Sequence, residues 1–169
     1  MRIFGLVGRS GAGKTTLLEK IVPILRERGR RVSTMKHTHH DFDIDRPGKD
    51  SHRHRAAGAD QVMVVCGRRW ALTTETPETA EPDIDALIGE MAPTDVLLIE
   101  GFHAHSHPKI EVHRPSLGHA LMWRPGGDVV AVACDEPPID AAAPTLDLNS
   151  PAAIVDFILD DARWDRASS

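Results

Sequence analysis

Eight residues near the N-terminus, Gly8-Arg9-Ser10-Gly11-Ala12-Gly13-Lys14-Thr15, follow the pattern G-x-x-x-x-G-K-[ST] directly after the apolar run Ile3-Phe4-Gly5-Leu6-Val7. No other feature restricts the fold as much. Glycines at this spacing let the backbone wrap so that successive amide N–H groups point inward at phosphate oxygens. A helix opening at Lys14 adds its free N–H groups and the positive end of its dipole. The chemistry needs a strand before the loop and a helix after it. Arg2–Val7 reads as a buried strand closed by glycines. Lys14–Arg28 carries Leu17, Leu18, Ile21, Val22 and Leu25 at helical spacing, and Gly29 supplies its stop. Pro23 is the blemish, since it cannot bond the Glu19 carbonyl and should bend the helix. A strand at Arg31–Lys36 completes a right-handed, parallel β-loop-α-β unit.

Further along, His37–Lys49 reads as a polar loop and Asp50–Ala59 as a short helix ending near Gly58. Gln61–Cys66 and Trp70–Thr74 flank Gly67-Arg68-Arg69 and predict a hairpin. Asp83–Met91 predicts a helix, Asp95–Glu100 a buried strand, and Pro108–His113 and Asp128–Cys134 further strands. Ser150-Pro151 begins a last helix carrying Ile154, Val155, Phe157 and Ile158. There is no internal repeat and no dividing linker. The expectation is one α/β domain over residues 1–169: a three-layer P-loop nucleoside-triphosphate-binding fold with a mostly parallel sheet and a β-hairpin excursion. Ligand would lie across the carboxyl ends of the strands.

Within that frame each loop residue has a predicted task. The main chain of Gly8, Arg9, Ser10, Gly11, Ala12 and Gly13 cradles phosphate, Lys14 reaches the β- and γ-phosphates, and the Thr15 hydroxyl ligates Mg²⁺. Thr16 either touches the α-phosphate or packs. Glu100 ends the apolar run Val96-Leu97-Leu98-Ile99, where it would hold Mg²⁺ or orient the attacking water; emergence into solvent is the plainer alternative. Arg9 either reaches across a dimer to the partner's γ-phosphate or is simply exposed.

Composition excludes several classes. Hydrophobic residues at 41% and charged residues at 27% favour a globular chain, and no apolar run is long enough to span a bilayer. A net charge of −5 argues against a general nucleic-acid binder. The first apolar stretch is too short for a signal peptide. Cys66 and Cys134 lie in apolar runs and read as buried free thiols, which together suggests a cytoplasmic protein.

Several longer stretches resemble the MobB family. They are the phosphate loop, Lys36-His37-Thr38-His39-His40-Asp41-Phe42-Asp43-Ile44-Asp45, Pro47-Gly48-Lys49-Asp50-Ser51, Ala57-Gly58-Ala59, Ile99-Glu100-Gly101-Phe102 and Pro108-Lys109-Ile110-Glu111-Val112. The likeness covers the first two-thirds of the chain in order, and residues from Leu117 on match only loosely. It implies a GTP-binding adapter of molybdopterin-guanine dinucleotide biosynthesis, a homodimer with weak Mg²⁺-dependent GTPase activity. It further implies association with the molybdenum cofactor guanylyltransferase, and delivery of nucleotide or finished cofactor to molybdoenzymes. The nucleotide role carries over to Gly11, Gly13, Lys14, Thr15 and Glu100. An acidic loop carries over to Asp41, Asp43 and Asp50, with Asp41 or Asp43 organising the metal's water shell or the attacking water. The chain has no N-K-x-D sequence for reading guanine. Asp135, after Val129–Cys134, is a substitute able to accept from the guanine N1–H and amino group; an ordinary turn aspartate is the alternative.

Histidines cluster at His37, His39, His40, His52 and His54 and again at His103, His105, His107 and His113. His103-x-His105-x-His107 would share one face if extended, a geometry able to bind metal; solvated loop histidines are the alternative. The basic stretch Lys49, His52, Arg53, His54 and Arg55 is either a solvated helix face or an anion contact. Two rivals therefore share the phosphate loop: a P-loop small-molecule kinase and a GTP-driven metal-insertion chaperone.

Overall fold

The computed structural model describes residues 1–38, 42–76, 82–136 and 142–160. In chain order these form β1 (Arg2–Val7), α1 (Lys14–Glu27), β2 (Val32–Lys36), α2 (Asp50–Ala56), β3 (Gln61–Cys66), β4 (Arg69–Thr74), α3 (Ile84–Gly89), β5 (Val96–Glu100), β6 (Lys109–His113), β7 (Val129–Cys134), β8 (Thr145–Asp147) and α4 (Pro151–Leu159). A 3₁₀ turn occupies Pro115–Leu117. The chain divides into two compact units, Met1–His37 with Pro93–Ser169, and the intervening Thr38–Ala92.

The first unit is a six-stranded sheet in the order β2-β5-β1-β6-β7-β8. Every neighbouring pair is parallel. Parallel strands need crossovers that bury the sheet, so their sequences are apolar runs rather than simple alternations. One face is packed by helices. Phe4 and Leu6 of β1, Val96 and Leu98 of β5, Ile110 and Val112 of β6, and Ala131 and Ala133 of β7 all point to it. Leu17, Ile21 and Leu25 of α1 and Ile154, Val155 and Ile158 of α4 close over them. Each fully buried side chain of this size contributes about 1.5–3 kcal/mol. Pro23 lies on the exposed side of α1, which runs unbroken through it. No helix among the described residues is long and apolar enough to cross a membrane.

The sheet's other face is polar at its centre. Lys109, Glu111 and His113 alternate along β6, and all three are buried. Glu111, only 2% exposed, accepts the backbone N–H of Met122 through both carboxylate oxygens (2.9 and 3.0 Å) and that of Trp123 at 2.9 Å. It thereby anchors the irregular segment after the 3₁₀ turn onto the sheet. Leu121 and Trp123 then pack against Val132 and Cys134.

In the second unit β3 and β4 form the expected antiparallel hairpin, turning through Gly67 and Arg68. Met63 pairs with Leu72 and Val65 with Trp70, so four large apolar side chains share one face, and all four are exposed. Arg55 of α2 gathers the chain around itself, donating to Asp45 at 3.2 Å, to Glu75 at 3.4 Å and to Asp43. One sequence expectation is corrected here. Cys66 is exposed at the hairpin end, where the backbone N–H groups of Arg68 and Arg69 hold its thiol below the usual range. Cys66 shares the face of Val62 and Val64, and along that face burial falls from Val62, at 8% exposed, to the turn, where the strand's last residue is left uncovered. Cys134 is buried as expected, and burial pushes its thiol up.

Candidate functional site

Strand register assembles the site. Leu6 pairs with Glu100, Val7 with Glu111 and His113 with Cys134. The residues that follow β1, β5, β6 and β7 therefore leave the sheet at one edge. They are Gly8, Gly101, Arg114 and Asp135.

The loop after β1 is pressed against its neighbour. A Cβ on Gly8 would lie 2.4 Å from the Val112 carbonyl oxygen, and the residue's φ is +144°, so no other residue fits. The loop then turns back on itself through a bond from Ala12 N–H to the Arg9 carbonyl (3.2 Å). It enters α1 at Gly13, and no side chain among the described residues caps the first helical turn. Uncapped first-turn amides beside a positive dipole end are able to take an anion. Lys14 curls over the loop and donates from Nζ to the carbonyls of Gly8 (2.9 Å) and Arg9 (3.2 Å). The ammonium is thus held at the loop's mouth. Arg9, Ser10, Gly11, Thr15 and Thr16 are exposed, and Ala12 is buried.

The structure brings Thr15 and Glu100 together. The Thr15 hydroxyl donates to Glu100 Oε1 at 3.1 Å and Oε2 at 3.3 Å. Adjacent octahedral ligands at about 2.0–2.1 Å from Mg²⁺ stand about 2.9 Å apart, so a hard cation could take one oxygen from each with little movement. The turn after Glu100 is equally constrained. A Cβ on Gly101, whose φ is +101°, would meet His37 Cβ at 2.9 Å. The His37 ring stacks on Phe102 with centroids 4.4 Å apart.

Sequence reasoning missed Arg114. Its Nε donates to the Ala12 carbonyl at 3.1 Å, and its Nη1 donates to Asp135 Oδ2. The available signal was positional: Arg114 directly follows the strand next to β1. Asp135 thus leaves β7 already held by a guanidinium. Asp43 belongs to the second unit, where its carboxylate accepts from Arg55. Asp41, with His39 and His40, lies outside the described residues.

The second histidine group is not an extended stripe. His103 is exposed, whereas His107 is buried with Nδ1 3.4 Å from His105 Nδ1. Its Nε2 has no hydrogen-bond partner among the described residues and presses on β1, at 2.6 Å from where a Cβ of Gly5 would lie. Burial foremost, then the nearby Lys109 and His105, lower its pKa to about 4, and Asp128 opposes this only in part. Free imidazole titrates near about 6.5, so the unfolded chain takes up this proton first. Stability is expected to be complete above pH ~6.5 and to fall as pH drops toward about 4. Melting curves of the wild type and His107→Asn across that window check this; parallel pH slopes would count against it.

The profile of the family described as "Molybdopterin guanine dinucleotide synthesis protein B", MobB, matches residues 3–135. The chain is 43% identical over 158 residues to the molybdopterin-guanine dinucleotide biosynthesis adapter protein of Escherichia coli K12, covering 89% of this chain and 87% of that protein. It is 42% identical to the protein of the same name from Haemophilus influenzae, covering 92% of this chain and 86% of the relative. The crystal structure of Bacillus subtilis MobB superposes with a TM-score of 0.74 at 29% identity, over 94% of this chain and 96% of that one. The matched span of residues 3–135 takes in the phosphate loop, Glu100, Arg114 and Asp135, so likeness and site geometry coincide. The α/β fold with its parallel six-stranded sheet, the loop at its edge and the sequence kinship agree: this chain belongs to the MobB family.

Proposed function

We propose that the protein is an adapter in molybdopterin-guanine dinucleotide biosynthesis, the role named for its relatives in Escherichia coli and Haemophilus influenzae, and that it binds GTP. The observation that carries the nucleotide reading is the joint placement of Lys14 and the Thr15–Glu100 pair at one sheet edge. In this reading the amides of Gly11, Gly13 and the first turn of α1 bind phosphate oxygens. Lys14 moves its ammonium from the Gly8 and Arg9 carbonyls to the β- and γ-phosphates. Thr15 and Glu100 hold Mg²⁺, which when bound neutralises charge on those phosphates. Asp135 accepts from the guanine edge.

Turnover is slow, because no strong general base stands at the γ-phosphate position among the described residues, and a partner has to contribute one. The nucleotide serves as a conformational signal in assembly with the guanylyltransferase that joins GMP to molybdopterin, and with molybdoenzymes. Homodimer formation has support in the exposed apolar face of the hairpin, where Val65 is 66% and Trp70 64% exposed. Affinity capture from cells making molybdenum cofactor tests the adapter role. Tagged protein is expected to recover the guanylyltransferase or a molybdoenzyme, and recovery of neither counts against the proposal.

A further inference from the structure

We infer that Arg114 is a positioning residue for base selection: it sets the Asp135 carboxylate and ties it to the phosphate loop, so that guanine nucleotides are preferred over adenine nucleotides. The inference rests on the GTP-binding reading above. β6 lies between β1 and β7, and strands about 4.8 Å apart put the end of β7 about 10 Å from the end of β1. With phosphates held at β1, a nucleotide extending along the sheet edge carries its base, one ribose further on, toward β7. Arg114 leaves the intervening strand and spans the gap in both directions. Its Nε donates to the Ala12 carbonyl at 3.1 Å and its Nη1 donates to Asp135 Oδ2. A planar guanidinium fixes two such bonds together, as a lysine ammonium cannot.

The chemistry of selection follows. A carboxylate has about four acceptor sites, so one taken by Arg114 leaves others for the guanine N1–H and 2-amino group. Adenine presents an acceptor at N1 and no amino group at C2, and a fixed carboxylate repels it. The pair is partly buried, with the two side chains 36% and 26% exposed, so solvent screens it less than a surface pair.

Calorimetric titration of GTP and ATP with Mg²⁺ tests the inference on wild type, Arg114→Ala, Arg114→Gln, Asp135→Ala and the Arg114→Ala/Asp135→Ala double variant. Either Arg114 variant is expected to weaken GTP about tenfold and ATP less than about twofold, a loss equivalent to one charge-assisted hydrogen bond. Arg114→Gln retains a donor for the Ala12 carbonyl and so covers the case of a misfolded alanine variant. The double variant should select no worse than Asp135→Ala alone. Asp135→Asn should turn the preference toward xanthosine triphosphate, whose C2 carbonyl meets the new amide, and adding Arg114→Ala should abolish that turn. Equal weakening of both nucleotides, or an unchanged GTP:ATP ratio in a folded Arg114 variant, overturns the inference while leaving GTP binding intact. A folded wild type that binds neither nucleotide overturns the functional reading and this inference together.

Discussion

Lys14→Ala will weaken GTP binding in the presence of Mg²⁺ by about a hundredfold, the equivalent of two charge-assisted hydrogen bonds lost at the β- and γ-phosphates. The size of the effect follows from where the ammonium sits. Nζ already spans the mouth of the loop, bonded to the Gly8 and Arg9 carbonyls, so a short swing carries it onto a phosphate. Alanine leaves the amide cradle in place but removes its one compact positive charge. The loop's own shape depends less on Lys14, because Gly8 rests on the Val112 carbonyl and Arg114 grips Ala12. The melting temperature should therefore move by no more than about 2–4 °C, the shift for about 1 kcal/mol in a chain of this size. Calorimetry and thermal melts on the same preparations separate the outcomes. Unchanged affinity would remove Lys14 from the site, and a collapsed melting temperature would make it a structural residue.

Glu111→Gln is expected to cost the fold about 3 kcal/mol, although it changes no volume. Both carboxylate oxygens accept backbone N–H groups from Met122 and Trp123, and hydrogen bonds to a charged acceptor contribute about 1.5–3 kcal/mol each. Glutamine turns one acceptor into an NH₂ donor facing another donor. The site is too buried for water to repair the mismatch, since Glu111 is 2% exposed. The corresponding fall in melting temperature is roughly 6–12 °C. Glu19→Gln on the exposed side of α1 is the matched control and should stay within about 0.5 kcal/mol. Similar losses for both variants in urea unfolding would show that Glu111 is no anchor.

What could be read in the sequence was whatever depends on near neighbours along the chain. β1 and β5 announce themselves as apolar runs, and α1 by Leu17, Ile21 and Leu25 at intervals of four. The hairpin follows from Gly67 between two apolar runs. Thr15 and Glu100 could be paired in advance because loop chemistry fixes one and a strand end the other. β8 escaped notice: Thr145-Leu146-Asp147 carries a single apolar side chain, and its strand character comes from pairing with Val132–Cys134. Arg114 escaped for a related reason. Its partners, Ala12 and Asp135, stand 102 and 21 residues away, and only the strand order 1-6-7 brings them within reach of one side chain. In the sequence Glu111 is only part of the predicted strand Pro108–His113, and its acceptors' role depends on an irregular segment that has no periodicity to read.

The contact between Gly8 and the Val112 carbonyl has a consequence for thermodynamics. Ordering a peptide segment takes about 1–2 kcal/mol per residue, and here much of that ordering is accomplished when the third and fourth strands of the sheet come together. In the proposed reading an incoming anion would meet a cradle that is already rigid, so its association should be fast and show little entropic penalty. Conversely, any change that loosens β6 softens the cradle from beneath. Affinity would then decline through substitutions far from every ligand atom, and a screen for weakened binders should return buried β6 positions alongside the loop itself.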